Sequence, residues 1–199
     1  MAGFFCVGLL DSRNTLCSDA MSKKSRLKAI IIEKSLKRGD FTLASGAKST
    51  YLFDLKPTML DPEGANLIGH LVLERLEDDV DAIGGLELGA CPAVSNACVI
   101  SYQINRPLKT FYVRKEKKGR GTDQLIEGCE LKKGDKVVIL EDVTTKGGSV
   151  KAAIQAVQNA GCKVVKVLSI VDRNEGAKAN LEQEGIALDY IFSKDDFAI

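Results

Sequence analysis

Histidine is almost missing from this chain of 199 residues: His70 is the only one, and none of the six cysteines forms a Cys-x-x-Cys pair. That leaves little from which to build a structural zinc site, and any Ser-His-Asp or Cys-His centre would have to run through His70. His70 and Glu74 stand four apart on a segment that reads as a helix, a spacing that surface ion pairs use far more often than metals. No charge of one sign dominates. Lys+Arg at 28 against Asp+Glu at 27 gives a formal net charge of +1, so no global field draws the chain to nucleic acid or anionic lipid. The apolar run Gly3 to Leu10 is too short to span a bilayer, and no Lys or Arg precedes it as in a secretory signal. Repeats and low-complexity tracts are missing too. What remains, 45% hydrophobic and 28% charged residues, describes a compact folded protein with reduced cysteines, expected in the cytoplasm.

The length suits one α/β domain. Residues 1–20 do not match the rest and read as an extension, with Met21 an equally good translation start. The domain is expected over 21–199. Leu27, Ile30, Ile31 and Leu36 mark an amphipathic helix stopping near Gly39. Phe41 to Leu43 and Thr50 to Leu55 read as strands around the turn Ser45 to Lys48. Asp61 as N-cap and Pro62 at the first helical position open a second helix. Strands are then predicted near 82–84, 108–113, 136–143, 164–171 and 188–192, alternating with helices near 92–102, 148–160 and 177–184. Such alternation predicts a mostly parallel sheet covered on both faces, with ligands beyond the carboxyl ends of its strands.

One such end is unusual. Val137 to Leu140 is continuously apolar, as in a strand buried on both faces, yet it ends in Glu141-Asp142 and then Val143-Thr144-Thr145-Lys146-Gly147-Gly148-Ser149 before a helix. Hydroxyls and glycines at a strand-to-helix turn bring backbone N–H groups onto one anion, with the positive helix end behind them. The carboxylates beside this phosphate cradle suit ribose hydroxyls, the water shell of magnesium or a developing positive charge. Together they suggest a phosphorylated pentose. Gly46-Ala47-Lys48-Ser49 lacks the first glycine and the Gly-Lys step of a P-loop, and no G-x-G-x-x-G follows a strand.

Val113 to Gly121 carries five cations and one anion after another apolar strand. It reads as a loop that folds over an anionic ligand. Nucleic-acid binding is the rival, weakened by the neutral remainder and by the lack of aromatic residues within the run.

Val137 to Ser149 resembles the phosphoribosyl-diphosphate (PRPP) signature of type I phosphoribosyltransferases. Arg114, Lys115, Glu116, Lys118 and Gly121 match the R-K-E-x-K-x-[H]-G segment typical of orotate phosphoribosyltransferases. Phe41 to Gly46 with Ser49, Tyr51 and Asp54 is similar to that family's F-T-L-x-S-G-x-x-S-x-Y motif, and Leu168 to Arg173 to its strand ending in D-R. With the turn at Gly85 to Ala90, the resemblance runs from about residue 25 to the C-terminus.

The resemblance implies the type I phosphoribosyltransferase fold, with a small N-terminal hood mainly from 21–60. It also implies transfer of ribose 5-phosphate from PRPP to N1 of orotate, giving orotidine 5'-monophosphate and pyrophosphate, a step of pyrimidine (UMP) biosynthesis, with Mg2+ required. Thr144 to Ser149 would hold the 5-phosphate, Val143 would also border PRPP, and Glu141 and Asp142 would bind the ribose and face its cationic transition state. Arg114, Lys115, Lys118 and Arg120 would neutralise the pyrophosphate, the loop reaching into a neighbouring subunit of a homodimer. Thr145 and Arg173 match positions that contact orotate. Magnesium would ride on diphosphate and water, with no direct protein ligand. Glu141, Asp142, Lys118 and Arg120 are thus the expected catalytic groups, and neither nucleic acid nor membrane is an expected partner.

Three positions depart from the family pattern. Arg120 stands where many members carry histidine, which predicts an active enzyme whose loop works by charge neutralisation. Ala44 and Gly89 stand where some members carry lysines. A purine or uracil phosphoribosyltransferase would lack the R-K-E-x-K loop. A non-catalytic PRPP sensor would add a nucleic-acid surface and would be favoured by loss of the acidic pair, which is intact.

Overall fold

A computed structural model describes residues 22–42, 48–116 and 125–199. The expected extension at 1–20, part of the hairpin turn, and Lys117 to Gly121 with Lys118 and Arg120 lie outside the described residues.

Ser22 caps the first helix, α1 (Lys23–Lys34), by accepting the Ser25 backbone N–H, and the helix buries Leu27, Ile30 and Ile31. It does not reach Gly39 as its pattern suggested. Leu36 falls off that helical stripe, and Ser35 is buried with its hydroxyl 2.7 Å from that of Thr58. Leu36 instead opens β1 (Leu36–Thr42), opposite Phe53 of the antiparallel β2 (Lys48–Phe53). A short helix, α2 (Lys56–Met59), precedes α3 (Pro62–Leu73). Asp61 caps α3 as expected, accepting the Glu63 and Gly64 N–H groups at 3.1 and 3.0 Å. His70 lies on α3, and Glu74 beyond it pairs with Lys23 at 2.5 Å.

The remainder runs β3 (Ala82–Leu86), α4 (Cys91–Gln103), β4 (Lys109–Val113), β5 (Ile126–Gly128), β6 (Lys136–Thr144), α5 (Gly148–Asn159), β7 (Lys163–Asp172), α6 (Ala177–Glu182), β8 (Ala187–Ser193) and a 3-10 turn, Lys194–Phe197. The sheet order is β5-β4-β3-β6-β7-β8, parallel throughout except for β5. The alternating pattern correctly implied a mostly parallel α/β sheet; α2, β5 and the 3-10 turn were too short to register.

Helices cover both faces, which explains the unbroken apolar run in β6. Val138 and Leu140 join the core beneath α1 to α4, whereas Val137 and Ile139 pack with Val150, Ile154 and Val157 of α5. The parallel strands all end at one edge of the sheet, so the segments after β3, β4, β6 and β7 gather there. An aromatic chain ties the β1–β2 hairpin to the C-terminus. Phe197, buried in the closing turn, packs against Phe53 with ring centres 5.0 Å apart and against Phe192 at 5.5 Å, while Tyr51 meets Phe53 edge-on at 5.8 Å.

Candidate active site

The acidic pair divides at the end of β6. Glu141 is only 6% exposed, and its Oε2 lies 3.5 Å from the Ser149 hydroxyl at the start of α5. Burial pushes its carboxyl well above the usual glutamate range and the adjacent Asp142 carboxylate adds to this, while Ser149 and the Lys115 ammonium pull the other way. Asp142 is half-buried and accepts the Val143 N–H at 2.9 Å. Its carboxylate faces Gly89, where an added Cβ would stand 2.9 Å from Oδ1. A lysine at that position would therefore force Asp142 to turn.

Residues 145–147 make the turn into α5. Gly147 adopts φ +79°, a left-handed conformation that glycine takes without strain, and no side chain caps the helix behind it. The first N–H groups of α5 are thus left without a side-chain acceptor, and the space beside Gly148 is open. The loop itself is anchored from below: the Thr145 carbonyl accepts the Ala177 N–H at 3.0 Å, and that of Lys146 accepts the Asn180 side chain at 2.9 Å. Thr144 is placed differently from its neighbours. Its hydroxyl is buried and donates to Asp172 at 2.9 Å, so it braces the ends of β6 and β7 and does not face the turn.

Arg173 follows β7 immediately, and its backbone N–H donates to the Thr144 carbonyl at 2.9 Å. Its side chain is 4% exposed, with the guanidinium over the Tyr51 ring at 4.5 Å and Nη2 donating to the Ser49 hydroxyl at 3.2 Å. Nε lies 2.9 Å from Glu175 Oε1, near enough for an ion pair, yet the angle is wrong for a hydrogen bond and the buried N–H has no hydrogen-bond partner. These groups line an open cleft of about 740 Å³ with Asp40, Phe41, Lys48 and Thr50.

The structure separates the two described cations of the basic segment. The Lys115 charge bears on Glu141, and its backbone N–H donates to the Glu87 carboxylate at 3.0 Å. The Arg114 guanidinium lies 3.8 Å from Glu127 of β5, at the sheet edge, and its buried Nε has no hydrogen-bond partner. The acidic pair, the glycine turn and Arg173, all singled out in the sequence, thus lie together at the ends of β6 and β7, whereas Glu87 and Glu175 were given no role there. Both are exposed-looking acids whose partners are set only by the fold.

Among the described residues no cluster of three or more His, Cys, Asp or Glu could cage a metal ion, and no helix is long and apolar enough to cross a membrane. Cys91, Cys98, Cys129 and Cys162 are free thiols. Glu141 and Asp142 still suit Mg2+, which takes few protein carboxylates and keeps water and substrate phosphate as its other ligands.

Residues 61–189 match the phosphoribosyl transferase domain. The chain is 45% identical over 180 residues to the orotate phosphoribosyltransferase of Bradyrhizobium diazoefficiens, covering 88% of this chain and 96% of the relative. Among solved structures it resembles the Mycobacterium tuberculosis orotate phosphoribosyltransferase in complex with PRPP, with a TM-score of 0.73, 33% identity, and 89% and 99% of the two chains covered. A phosphoribosyltransferase from Corynebacterium diphtheriae superposes with a TM-score of 0.79 at 35% identity, covering 90% of this chain and all (100%) of that one.

Proposed function

Because the chain belongs to the phosphoribosyl transferase domain family, and within it to the orotate phosphoribosyltransferases, we propose that its own residues divide the transfer of ribose 5-phosphate to orotate as follows. The 5-phosphate of PRPP sits on the uncapped start of α5, against the N–H groups that follow Gly147, with Thr145, Lys146 and Ser149 around it. Asp142 and Glu141 take the ribose hydroxyls and face C1 of the sugar. As the bond from C1 to the diphosphate oxygen breaks and the bond to N1 of orotate forms, positive charge grows on the sugar and negative charge on the leaving group. Carboxylates under the one and cations over the other lower the barrier without moving far.

Lys115 supplies one of those cations within its own site. Arg114 points the other way, toward Glu127 at the β5 edge of the sheet, and from there it serves a neighbouring subunit's diphosphate together with Lys118 and Arg120. The functional unit is then a homodimer with shared sites. Asp142 and Glu141 would hold the water shell of a Mg2+ ion on the diphosphate, which would supply further neutralisation of the leaving group. Arg173 takes the planar carboxylate of orotate in the cleft beneath the hood formed mainly by 21–60, and Thr145 borders it. The free thiols of Cys91, Cys98, Cys129 and Cys162 suit a reducing cytoplasm, where we place the enzyme.

The observation that carries this assignment is the bond from the Arg173 N–H to the Thr144 carbonyl, which joins a carboxylate receptor to the root of the phosphate turn. Incubation with PRPP, Mg2+ and, separately, orotate, uracil, adenine and hypoxanthine tests it. Orotate alone is consumed, with release of pyrophosphate; consumption of a purine or of uracil instead contradicts the assignment.

A further inference from the structure

Arg173 is held in place by two hairpin residues, the Ser49 hydroxyl and the Tyr51 ring, and neither carries charge. Among the described residues, the one carboxylate within ion-pair distance of this buried guanidinium is that of Glu175, on the loop between β7 and α6. The pairing is poorly made. Oε1 is 2.9 Å from Nε, but the N–H is not aimed at it and keeps no hydrogen-bond partner. An Arg paired well with a carboxylate presents parallel N–H bonds to both oxygens, and a buried N–H without an acceptor is costly. Glu175 is also free to leave. Its side chain is 33% exposed, it lines the same cleft, and Arg173 is its only ion-pair partner among the described residues.

We propose that Glu175 is a placeholder carboxylate: it neutralises Arg173 while the cleft is empty and yields to the carboxylate of orotate, so that it sets how tightly the base is held. This rests on the reading that Arg173 receives that carboxylate. An incoming carboxylate must either displace Glu175 or bind beside it and be repelled, and both weaken binding. A base without a carboxylate neither displaces Glu175 nor meets that repulsion, so the effect is confined to the acidic base. Because Ser49 and Tyr51 hold the guanidinium independently, losing the Glu175 charge leaves Arg173 in position.

Steady-state kinetics of Glu175→Gln and Glu175→Ala, with equilibrium binding of orotate and uracil, test the proposal; Arg173→Gln tests the underlying reading in parallel. Both Glu175 variants are expected to lower the KM for orotate by roughly two- to fivefold relative to that for PRPP, the range set by a partly exposed ion pair. Orotate binding tightens to match, and uracil binding does not change. If Arg173→Gln raises the KM for orotate but the Glu175 variants leave it unchanged or raise it, Glu175 is a prop and not a competitor, and the proposal is overturned while the reading stands. If Arg173→Gln leaves the orotate KM unmoved, the reading fails and the proposal fails with it.

Discussion

The Arg173 N–H and the Thr144 carbonyl meet at 2.9 Å, and this bond fixes the spacing between the phosphate turn and the cleft beneath the hairpin. It sits at the ends of two adjacent parallel strands, where Thr144 also pairs with Asp172 in register. Both proposed anchor points of the substrate thus belong to adjacent strands of one sheet.

Thr144→Val tests how far that arrangement depends on one hydroxyl. Its loss removes the 2.9 Å bond to Asp172, whose carboxylate is 2% exposed and is left without that donor. A loss of about 1–3 kcal/mol of stability is expected, measured by urea denaturation. An unchanged midpoint would show that the brace carries no weight.

Gly89→Ala should misplace Asp142 without disturbing the core. The new Cβ would stand 2.9 Å from Oδ1, so the carboxylate turns and its alignment with the sugar is lost. A fall in kcat/KM of roughly ten- to hundredfold is expected, with little change in melting temperature. Full activity would remove Asp142 from its assigned position.

The same pair of residues shows what could be read in the chain and what could not. Val137 to Ser149 was legible because strand, acidic pair and glycine turn are consecutive, so local chemistry and the expected sheet edge were enough. Asp61 and Pro62 were legible for the same reason. The approach of Gly89 to Asp142, the stacking of Tyr51 on Arg173 and the opposite directions of Arg114 and Lys115 were not, because the fold alone creates them. Ser49 and Arg173, 124 residues apart, bond to each other only once the hairpin is packed. Leu36 does not extend α1 because it lies off the stripe of Leu27, Ile30 and Ile31, and a single apolar residue at a helix end does not tell a further turn from the start of a strand.

Glu141→Gln should change how stability depends on pH. Burial and Asp142 raise the folded-state carboxyl above its ordinary 4.5. The native protein therefore holds more protons than the unfolded chain above that value, and this group's contribution is lost as pH rises through the window. Glu77 and Asp135, held low by Lys166 and Lys109, act in the opposite sense and lose their contribution as pH falls. The difference in melting temperature between Glu141→Gln and wild type isolates the first effect. It should favour the variant increasingly from about pH 4.5 upward, and a difference independent of pH would contradict the assignment.

Phe197→Ala should loosen the hairpin from the sheet. The ring is 3% exposed between Phe53 and Phe192, so its loss is expected to cost about 3–5 kcal/mol by denaturant unfolding. The KM for orotate should rise as Ser49 and Tyr51 release Arg173. Unfolding with an unaltered orotate KM in the folded fraction would separate the hairpin from base recognition.

Orotidine 5'-monophosphate carries both a phosphate and the orotate carboxylate, so a crystal structure of the protein with this one nucleotide bound tests the assignment most directly. The account predicts the phosphate on the backbone N–H groups of Gly148 and Ser149, the ribose hydroxyls at Asp142 and Glu141, and the carboxylate on Arg173. A nucleotide bound away from the end of β6, or turned so that its carboxylate faces α5, would contradict it.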